Sequence, residues 1–385
     1  MLGGNAMFTA VATSLVSLAF MQQAGTMVHP EKPSANPPKV EQTVTLPTPP
    51  PKPASPVVAN DPRTGKPVAK KGLDASDYGY VMPAGVTTKE VVYYSEGTPA
   101  YAKIFYPKGF DPAKKMPAIV MGQGWAGSHV SIEKYAAVFA QHGLVAMTID
   151  YRGWGNSEGQ VRLLSPIDLG GGMEKDETRH KIIQNATVWV KRTRLDARDQ
   201  QDDYRNAISF IQGEPGVDPD RIGVWGSSYA GGNSVAAAGQ DARVKAIAIQ
   251  IPGIGGNPDG TPPQAYSGQI LQDAITRART GQGAEMWTGY SRSILIDAEM
   301  IEANRENNTL QWARNIGDRP FMVIVAQYDE LINNDRAGKA AIDLATGPKE
   351  YIVVPDITHF EMYSGKPFEI SSSAAARWFV THLAK

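Results

Sequence analysis

Residues 225–232 read Trp225-Gly226-Ser227-Ser228-Tyr229-Ala230-Gly231-Gly232, and this stretch decides the fold. The apolar run before it, Arg221 to Trp225, predicts a short strand, and the Ala-rich run 233–239 after it predicts a helix. A serine between small residues at a strand-to-helix turn is typical of a nucleophile elbow, where the tight turn projects a hydroxyl from the edge of a sheet. The sequence therefore predicts that Ser228 is a nucleophile.

Two features of this stretch leave alternatives open. Ala230 stands where the Gly-x-Ser-x-Gly pattern has its second glycine, and Ser227 offers a second register. The register that begins one residue earlier has no glycine two positions before its serine, so Ser228 is preferred. The alternative without catalysis is a helix start with capping serines.

A serine hydroxyl is a weak nucleophile and needs an adjacent base. Two of the six histidines follow Ser228, which is where the base follows this type of elbow. His382 lies near the end of an amphipathic terminal segment, which predicts a histidine at the surface end of a helix. His359 lies in the loop 356–360 after a predicted strand, 351–355, from which a side chain can cross the top of the sheet. His359 is the predicted base.

The base in turn needs an orienting acid, which we expect in the loop after the preceding strand. The apolar run 320–326 predicts that strand, and Gln327-Tyr328-Asp329-Glu330 follows it directly. Asp329 is the preferred acid. Glu330 stays open as the alternative, because only one of two neighbouring side chains can point at the histidine.

Acyl transfer also needs two N–H donors for the oxyanion, each contributing about 3 kcal/mol in enzymes of this kind. One predicted donor is the main chain of Tyr229, directly after the nucleophile. The other is Trp125, in the glycine-rich loop 122–128 that follows the predicted strand 117–121.

The same loop permits a different interpretation. Residues 122–127 satisfy the Gly-x-Gly-x-x-Gly pattern of dinucleotide-binding folds, and Asp150 ends the next predicted strand, where a ribose-binding acid would stand. Two amphipathic strands, 90–94 and 100–106, precede this loop, although a dinucleotide fingerprint normally opens its sheet. The hydrolase interpretation also explains the later serine, acid and histidine, and is preferred.

The chain resembles the α/β-hydrolase superfamily over residues 88 to 385, and within it the dienelactone-hydrolase-like and X-prolyl-peptidase-like serine esterases. Four segments carry the resemblance: the glycine-rich loop 122–128, the segment 150–159, the elbow, and the ending Thr358-His359-Phe360-Glu361-Met362-Tyr363. It departs from many relatives at Gln123, where they have histidine, and at Ala230. The resemblance implies a Ser-His-Asp triad and an acyl-enzyme intermediate.

The predicted fold is α/β, an α/β-hydrolase fold with an eight-stranded, mostly parallel sheet and helices on both faces. Its strands lie near residues 90, 101, 117, 145, 222, 246, 322 and 352. An insertion at about 254–318 predicts a helical lid with helices over 264–280 and 291–304. The aromatic residues predicted to wall a substrate pocket are Trp287, Tyr290 and Trp312. A second excursion, 160–198, precedes a predicted helix over 199–212, and its charged run 174–180 is typical of a solvated face.

The catalytic domain is predicted to span 76–385. Residues 1–28 include an apolar run suited to a signal peptide, without a basic leader, and 29–75 form a Pro-rich stretch typical of a disordered linker. Export to the periplasm or outside the cell is therefore expected, with the cytoplasm as the alternative. The apolar run is too short for a stable membrane span.

Composition sets further limits on function. The chain has 385 residues, a formal net charge of −1 and no cysteine, so it offers no disulfide, no thiolate metal site and no basic surface that indicates nucleic acid. The sequence shows no metal-ligand spacing, and the predicted chemistry needs no cofactor. The sequence as a whole indicates a serine hydrolase that acts on a small-molecule or polymeric carboxylic ester. The alternatives are a peptidase, thioesterase or lactonase with the same triad, and more remotely a dinucleotide-binding oxidoreductase or a non-catalytic binding module. The oligomeric state stays open.

Overall fold

The structure is a computed structural model that describes residues 79–163, 188–192, 195–257, 268–280, 287–291, 294–297 and 307–383, with positions 300 and 303. The predicted signal peptide 1–28, the linker 29–75 and the charged run 174–180 lie outside these residues, so those interpretations stay predictions. Within the described residues, no helix combines the length and apolar character that crossing a membrane requires.

An eight-stranded sheet organises the chain. Its strands are β1 (Thr87–Ser95), β2 (Thr98–Tyr106), β3 (Met116–Gly122), β4 (Val145–Ile149), β7 (Val217–Ser227), β8 (Val244–Gln250), β11 (Phe321–Ala326) and β12 (Lys349–Val354). They lie side by side in the order β1-β2-β4-β3-β7-β8-β11-β12. β2 pairs antiparallel with β1 and β4, and all other neighbours pair parallel. Each of the eight predicted strand positions lies in this sheet, so the predicted fold class is confirmed.

Helices cover both faces of the sheet, because its central strands are apolar on both sides. β4 and β11 are buried at every position, as parallel strands between two helix layers must be. In the described part of the chain, the α-helices are α1 (Glu133–Gln141), α2 (Ala197–Gln212), α3 (Tyr229–Gln240), α4 (Gly268–Thr280), α5 (Ala340–Leu344) and α6 (Gly365–His382). One core contains α2, α3 and α5 residues, and the other contains α1 and α6 residues. The sheet thus forms the middle layer of three.

The described residues of the insertion between β8 and β11 include both helix and strand. Helix α4 lies within the predicted 264–280 helix, but part of the predicted 291–304 helix is instead a hairpin of β9 (Trp287–Ser291) and β10 (Ile294–Asp297). The run Ile294-Leu295-Ile296 is apolar throughout and partly β-branched, which favours a strand once a partner strand is adjacent. A short 3₁₀ helix, Leu310–Ile316, ends the insertion. The helical lid therefore stays a prediction.

The 160–198 excursion contains a ribbon that the sequence analysis missed. β5 (Gln160–Leu163) pairs antiparallel with β6 (Val188–Lys191). The Gln160 amide donates to Asp199 at the start of α2, and the Arg192 guanidinium donates to the carbonyl of Gly155. These contacts connect the ribbon to α2 and to the loop after β4.

Candidate active site

The predicted site residues converge at the carboxyl edge of the parallel strands. Ser228 follows the last residue of β7, and Trp125 lies three residues after β3. Asp329 and His359 follow β11 and β12 in the same way. Because neighbouring parallel strands end at the same edge, loops distant in sequence meet there.

Ser228 occupies a strained turn between β7 and α3. Its φ of 55° and ψ of −120° lie in a region that non-glycine residues rarely adopt. The main chain fixes this conformation on both sides: the Ser228 N–H donates to the Gln250 carbonyl at 3.0 Å, and the Ser228 carbonyl accepts from Gly231 at 2.8 Å and Gly253 at 2.7 Å. The Ser228 hydroxyl is therefore held at the tip of the turn.

The small residues of the elbow have a steric reason. A Cβ on Gly226 would lie 2.2 Å from the Ala230 carbonyl oxygen, and one on Gly231 would lie 2.4 Å from the Cβ of Pro252. The methyl group of Ala230 is accommodated in the fully buried interior. The second close approach thus falls at position 231, which explains why alanine is tolerated at 230.

A continuous hydrogen-bonded chain joins the predicted nucleophile, base and acid. The Ser228 Oγ lies 2.9 Å from His359 Nε2, and His359 Nδ1 lies 2.8 Å from Asp329 Oδ2. The His359 side chain is 2% exposed and that of Asp329 is 0% exposed, whereas Ser228 is half-buried. The serine end of the chain thus faces the outside, and the acid end is enclosed.

The structure gives Asp329 and Glu330 different partners. Besides the imidazole, Asp329 uses Oδ1 to accept from the main-chain N–H groups of Leu331 at 3.0 Å and Ile332 at 2.9 Å. Glu330 contacts the main chain of the histidine instead, where its Oε2 accepts from the His359 N–H at 2.8 Å. Of the two acids that the sequence left open, Asp329 therefore contacts the ring.

Ser227, the alternative serine, faces the interior and is 0% exposed. Its Oγ lies 2.7 Å from the Tyr363 hydroxyl and accepts from the Gln250 amide at 3.0 Å. That amide also donates to the Tyr135 hydroxyl at 3.0 Å. Ser227 is thus engaged in a buried network beneath the elbow, and only Ser228 lies in line with the histidine.

The two segments that carry the predicted oxyanion donors both lie next to Ser228. The Tyr229 N–H begins α3, where the helix supplies no carbonyl partner and the helix dipole favours negative charge. The other loop passes directly over the serine, since a Cβ on Gly124 would lie 3.2 Å from the Ser228 Cβ. Trp125 follows in this loop, and its ring meets the Tyr229 ring edge-on at 5.6 Å between centroids.

An aromatic group that the sequence analysis did not assign surrounds Tyr229. The Trp154 ring lies 6.0 Å and the Tyr151 ring 6.3 Å from the Tyr229 ring. The Tyr229 hydroxyl donates to Gln200 Oε1 at 2.6 Å, and burial raises the pKa of Tyr229 well above its usual range. The phenol is therefore a neutral donor at physiological pH. Tyr151 and Trp154 lie in the segment 150–159 that carried the resemblance, but their contact with Tyr229 had no signal in the sequence.

The predicted pocket walls have different outcomes. Trp312 packs on α3 beside Gly239, whose added Cβ would lie 2.7 Å from the Trp312 Cβ. Gly239 lies eleven residues after Ser228 in the chain, about 16 Å along a helix at about 1.5 Å per residue. This position argues against a role for Trp312 in a substrate pocket at Ser228, and packing on α3 accounts for the side chain instead. Trp287 and Tyr290 lie in β9, and their side chains are outside the described part of the chain.

Asp150, the residue that the dinucleotide interpretation assigned to ribose, is occupied elsewhere. Its carboxylate is 0% exposed and accepts from the His129 main chain at 2.6 Å and from Asn156 at 2.9 Å, and it also contacts the His129 ring at 2.7 Å. The acid therefore fixes the end of the glycine-rich loop and is enclosed by protein, which is against ribose binding. Among the described residues, no three histidine, aspartate or glutamate side chains form a group that could hold a metal ion.

Comparison with known proteins agrees with this architecture. An uncharacterized 31.7 kDa protein in the traX-finO intergenic region of Escherichia coli is 27% identical over 297 residues, covering 70% of this chain and 92% of that protein. Thiohydrolase aneE of Aspergillus aculeatus is 30% identical over 137 residues, covering 35% and 34%. The solved structure of the α/β hydrolase GrgF from Penicillium sp. sh18 matches with a TM-score of 0.53 at 19% identity, covering 78% of this chain and 99% of that one.

A family model supplies the wider assignment. The model of the X-Pro dipeptidyl-peptidase (S15) family matches residues 96–337, more than half of the 385 residues. The matched segment contains Ser228 and Asp329 and ends before His359. With the eight-stranded sheet, this match makes the chain a hydrolase of the α/β-hydrolase fold, and the chain belongs to the X-Pro dipeptidyl-peptidase (S15) family.

Proposed function

We propose that the protein is a serine hydrolase that cleaves a carboxylic ester through an acyl-enzyme intermediate. The observation that carries the proposal is the hydrogen-bonded chain from Asp329 through His359 to Ser228, with distances of 2.8 Å and 2.9 Å. A base within hydrogen-bond reach of a hydroxyl, itself oriented by a buried carboxylate, is the arrangement that activates serine.

Acylation begins when the Ser228 Oγ attacks the ester carbonyl carbon and its proton passes to His359 Nε2. Asp329 holds the Nδ1–H and so keeps the Nε2 lone pair directed at the serine. The tetrahedral intermediate then collapses, the bond from carbon to the leaving oxygen breaks, and His359 returns the proton to the departing alkoxide. In the second half, water attacks the acyl carbon while His359 takes its proton. The bond from this carbon to the Ser228 Oγ then breaks, His359 returns the proton to the serine, and the acid product leaves.

The negative charge of the tetrahedral oxygen needs donors already in place. The main-chain N–H groups of Tyr229 and Trp125 fill this role in the proposal. The first is supported by its position at the N-terminus of α3, and the second by the close approach of Gly124 to Ser228. The aromatic group around Tyr229 forms an apolar boundary beside the reacting carbon.

An ester is preferred because an alkoxide leaves more easily than an amine from the same intermediate. Peptide cleavage is the second candidate, since the matching family is described as X-Pro dipeptidyl-peptidase. Thioester cleavage enters the test because one relative is named a thiohydrolase. All three reactions use the same serine, base and acid, so the leaving group is what the experiment must separate.

The test is a stopped-flow assay of the full chain with p-nitrophenyl acetate and butyrate, followed by an Xaa-Pro p-nitroanilide and an acetyl thioester. We expect a burst of nitrophenol stoichiometric with enzyme and then slower turnover. Ser228→Ala removes the nucleophile and abolishes the burst. Ser227→Ala is the matched control one position away and keeps it.

Each other outcome has a defined meaning. A burst that survives in Ser228→Ala contradicts the assignment of the nucleophile. Activity confined to the anilide or the thioester replaces the ester with that class of substrate. A wild-type chain that cleaves none of the substrates, although folded by circular dichroism, refutes the proposed hydrolysis.

A further inference from the structure

Glu330 stands out among the residues around the triad, because its carboxylate contacts the catalytic loop without touching the imidazole. Its Oε2 accepts from the main-chain N–H of His359 at 2.8 Å. The N–H belongs to a residue that is 1% exposed, and a buried N–H left without an acceptor destabilises the fold. The bond is charge-assisted, which makes it stronger than a neutral one.

This bond is the last of a series that joins the loop after β11 to the loop after β12. Gln327 donates its N–H to the Val354 carbonyl at 3.0 Å, and Tyr328 donates to the Ile357 carbonyl at 2.9 Å. The Asp356 N–H, in a left-handed turn with φ of 58°, donates to the Gln327 side chain at 3.0 Å. The acid loop thus follows the histidine loop residue by residue, and the Glu330 bond ends the series at the base itself.

The two acidic neighbours therefore control different coordinates of His359. Asp329 fixes the rotation of the ring through Nδ1, whereas Glu330 fixes the main chain from which the ring projects. A ring that keeps its rotation but shifts with its main chain loses the 2.9 Å contact with Ser228. In enzymes, a misplacement of about 1 Å can lower the rate by about 10²-fold.

We propose that Glu330 is a positioning residue, whose carboxylate sets the distance between the His359 base and the Ser228 nucleophile by holding the His359 main chain. This inference rests on the proposed function, because it requires His359 to act as the base. It predicts that the reach of the side chain, rather than its charge, is what activity needs.

The test is a pair of conservative variants in the full chain. Glu330→Gln loses the charge but keeps an amide oxygen at the same reach, and Glu330→Asp keeps the charge but is one methylene shorter. We expect Glu330→Gln to keep at least about a third of the wild-type kcat, and Glu330→Asp to lose roughly ten-fold to 10²-fold, with KM within about three-fold in both. Acylation and deacylation should slow together, since His359 acts in both steps.

Glu350→Gln and Glu350→Asp are the control pair, because Glu350 is exposed on β12 and we expect wild-type rates from both. If kcat falls in Glu330→Gln and is retained in Glu330→Asp, the effect is due to charge and the proposal is overturned. Equal losses of kcat in both variants, or wild-type kcat in both, also overturn it. Melting temperatures separate a general loss of fold from a change in kcat. The wild-type burst is measured alongside: its absence refutes the proposed function, whereas its presence with the wrong variant pattern refutes only the role of Glu330.

Discussion

The replacement Asp329→Asn tests the proposed mechanism at a single atom. In the native site, Oδ1 of Asp329 accepts from Leu331 and Ile332, while Oδ2 faces His359 Nδ1. An asparagine must keep its oxygen at the Oδ1 position, because its NH₂ group cannot accept from two N–H donors. The NH₂ group is therefore forced to face Nδ1.

The consequence is a change of histidine tautomer. Nδ1 then accepts from the amide, so the ring proton moves to Nε2, which lies 2.9 Å from the Ser228 hydroxyl. A protonated Nε2 cannot take the serine proton, and in serine proteases the same exchange lowers kcat by about 10⁴-fold. At about 1.36 kcal/mol per factor of ten, this loss corresponds to about 5.5 kcal/mol of transition-state stabilisation.

The assay separates this loss from unfolding. Both main-chain hydrogen bonds to the side chain survive in Asp329→Asn, so we expect its free energy of unfolding to fall by less than about 1.5 kcal/mol. Steady-state turnover of p-nitrophenyl acetate and urea unfolding are measured on the same preparation, with the exposed Asp335→Asn as the control. Retention of more than a tenth of wild-type kcat would refute the reasoning, because it would mean that the acid does not set the tautomer.

Three further predictions address the elbow and the scaffold. Gly226→Ala places a Cβ 2.2 Å from a backbone oxygen of α3, so we expect loss of activity and destabilisation by roughly 1–3 kcal/mol or more in urea unfolding, and unchanged stability would contradict this geometry. Ser227→Ala removes a buried hydroxyl that contacts the Tyr363 hydroxyl and accepts from the Gln250 amide, so thermal unfolding should show a loss of about 1–3 kcal/mol while the burst remains, and a wild-type melting temperature would speak against the buried network. Burial tends to raise the pKa of Asp241, but hydrogen bonds from Arg243 outweigh it and hold the pKa below its usual range. Asp241→Asn should therefore be less stable than wild type at neutral pH. Urea unfolding should show the difference shrinking as pH falls below about 4, where the carboxylate of the unfolded chain gains its proton, and the contribution of the charge is lost below the lowered pKa of the folded state.

The sheet could be predicted from the sequence because its strands are short apolar runs separated by turns and helices. β11, for example, is buried at every position and is flanked by Pro320 and the polar loop at Gln327. A short, wholly apolar run with such boundaries is typical of a strand that is buried on both faces. The elbow also indicated where the site lies, because the turn after a parallel strand is at the carboxyl edge of the sheet.

The insertion after β8 was harder to predict because its pattern supports two periods. The run 294–297 is apolar at three of four positions, which fits one face of a helix as well as a strand. Pairing with β9 decides for the strand, but the two residues between the strands, Arg292 and Ser293, include none of the glycine or asparagine residues that indicate a tight hairpin turn. Trp312 shows the same limit, because only the packing of its helix on α3 shows that it lies beside Gly239, near the end of α3 opposite to Ser228.

The two ambiguities at the site itself have a common physical origin. The sequence offers two adjacent serines and two adjacent acids, and in each pair both residues have the chemistry that the role needs. Both pairs lie where the chain leaves a strand and turns, at Ser228 with its φ of 55° and in the loop after β11, so one member can face the reaction while the other binds the scaffold. Ser227 and Glu330 bind the buried network and the His359 main chain, whereas Ser228 and Asp329 lie on the two sides of the imidazole. The second member of each pair therefore has a separate, structural role: it binds the element that carries the reacting group. This division explains why composition and spacing identify the pair, while only the direction of the backbone at each residue assigns the roles.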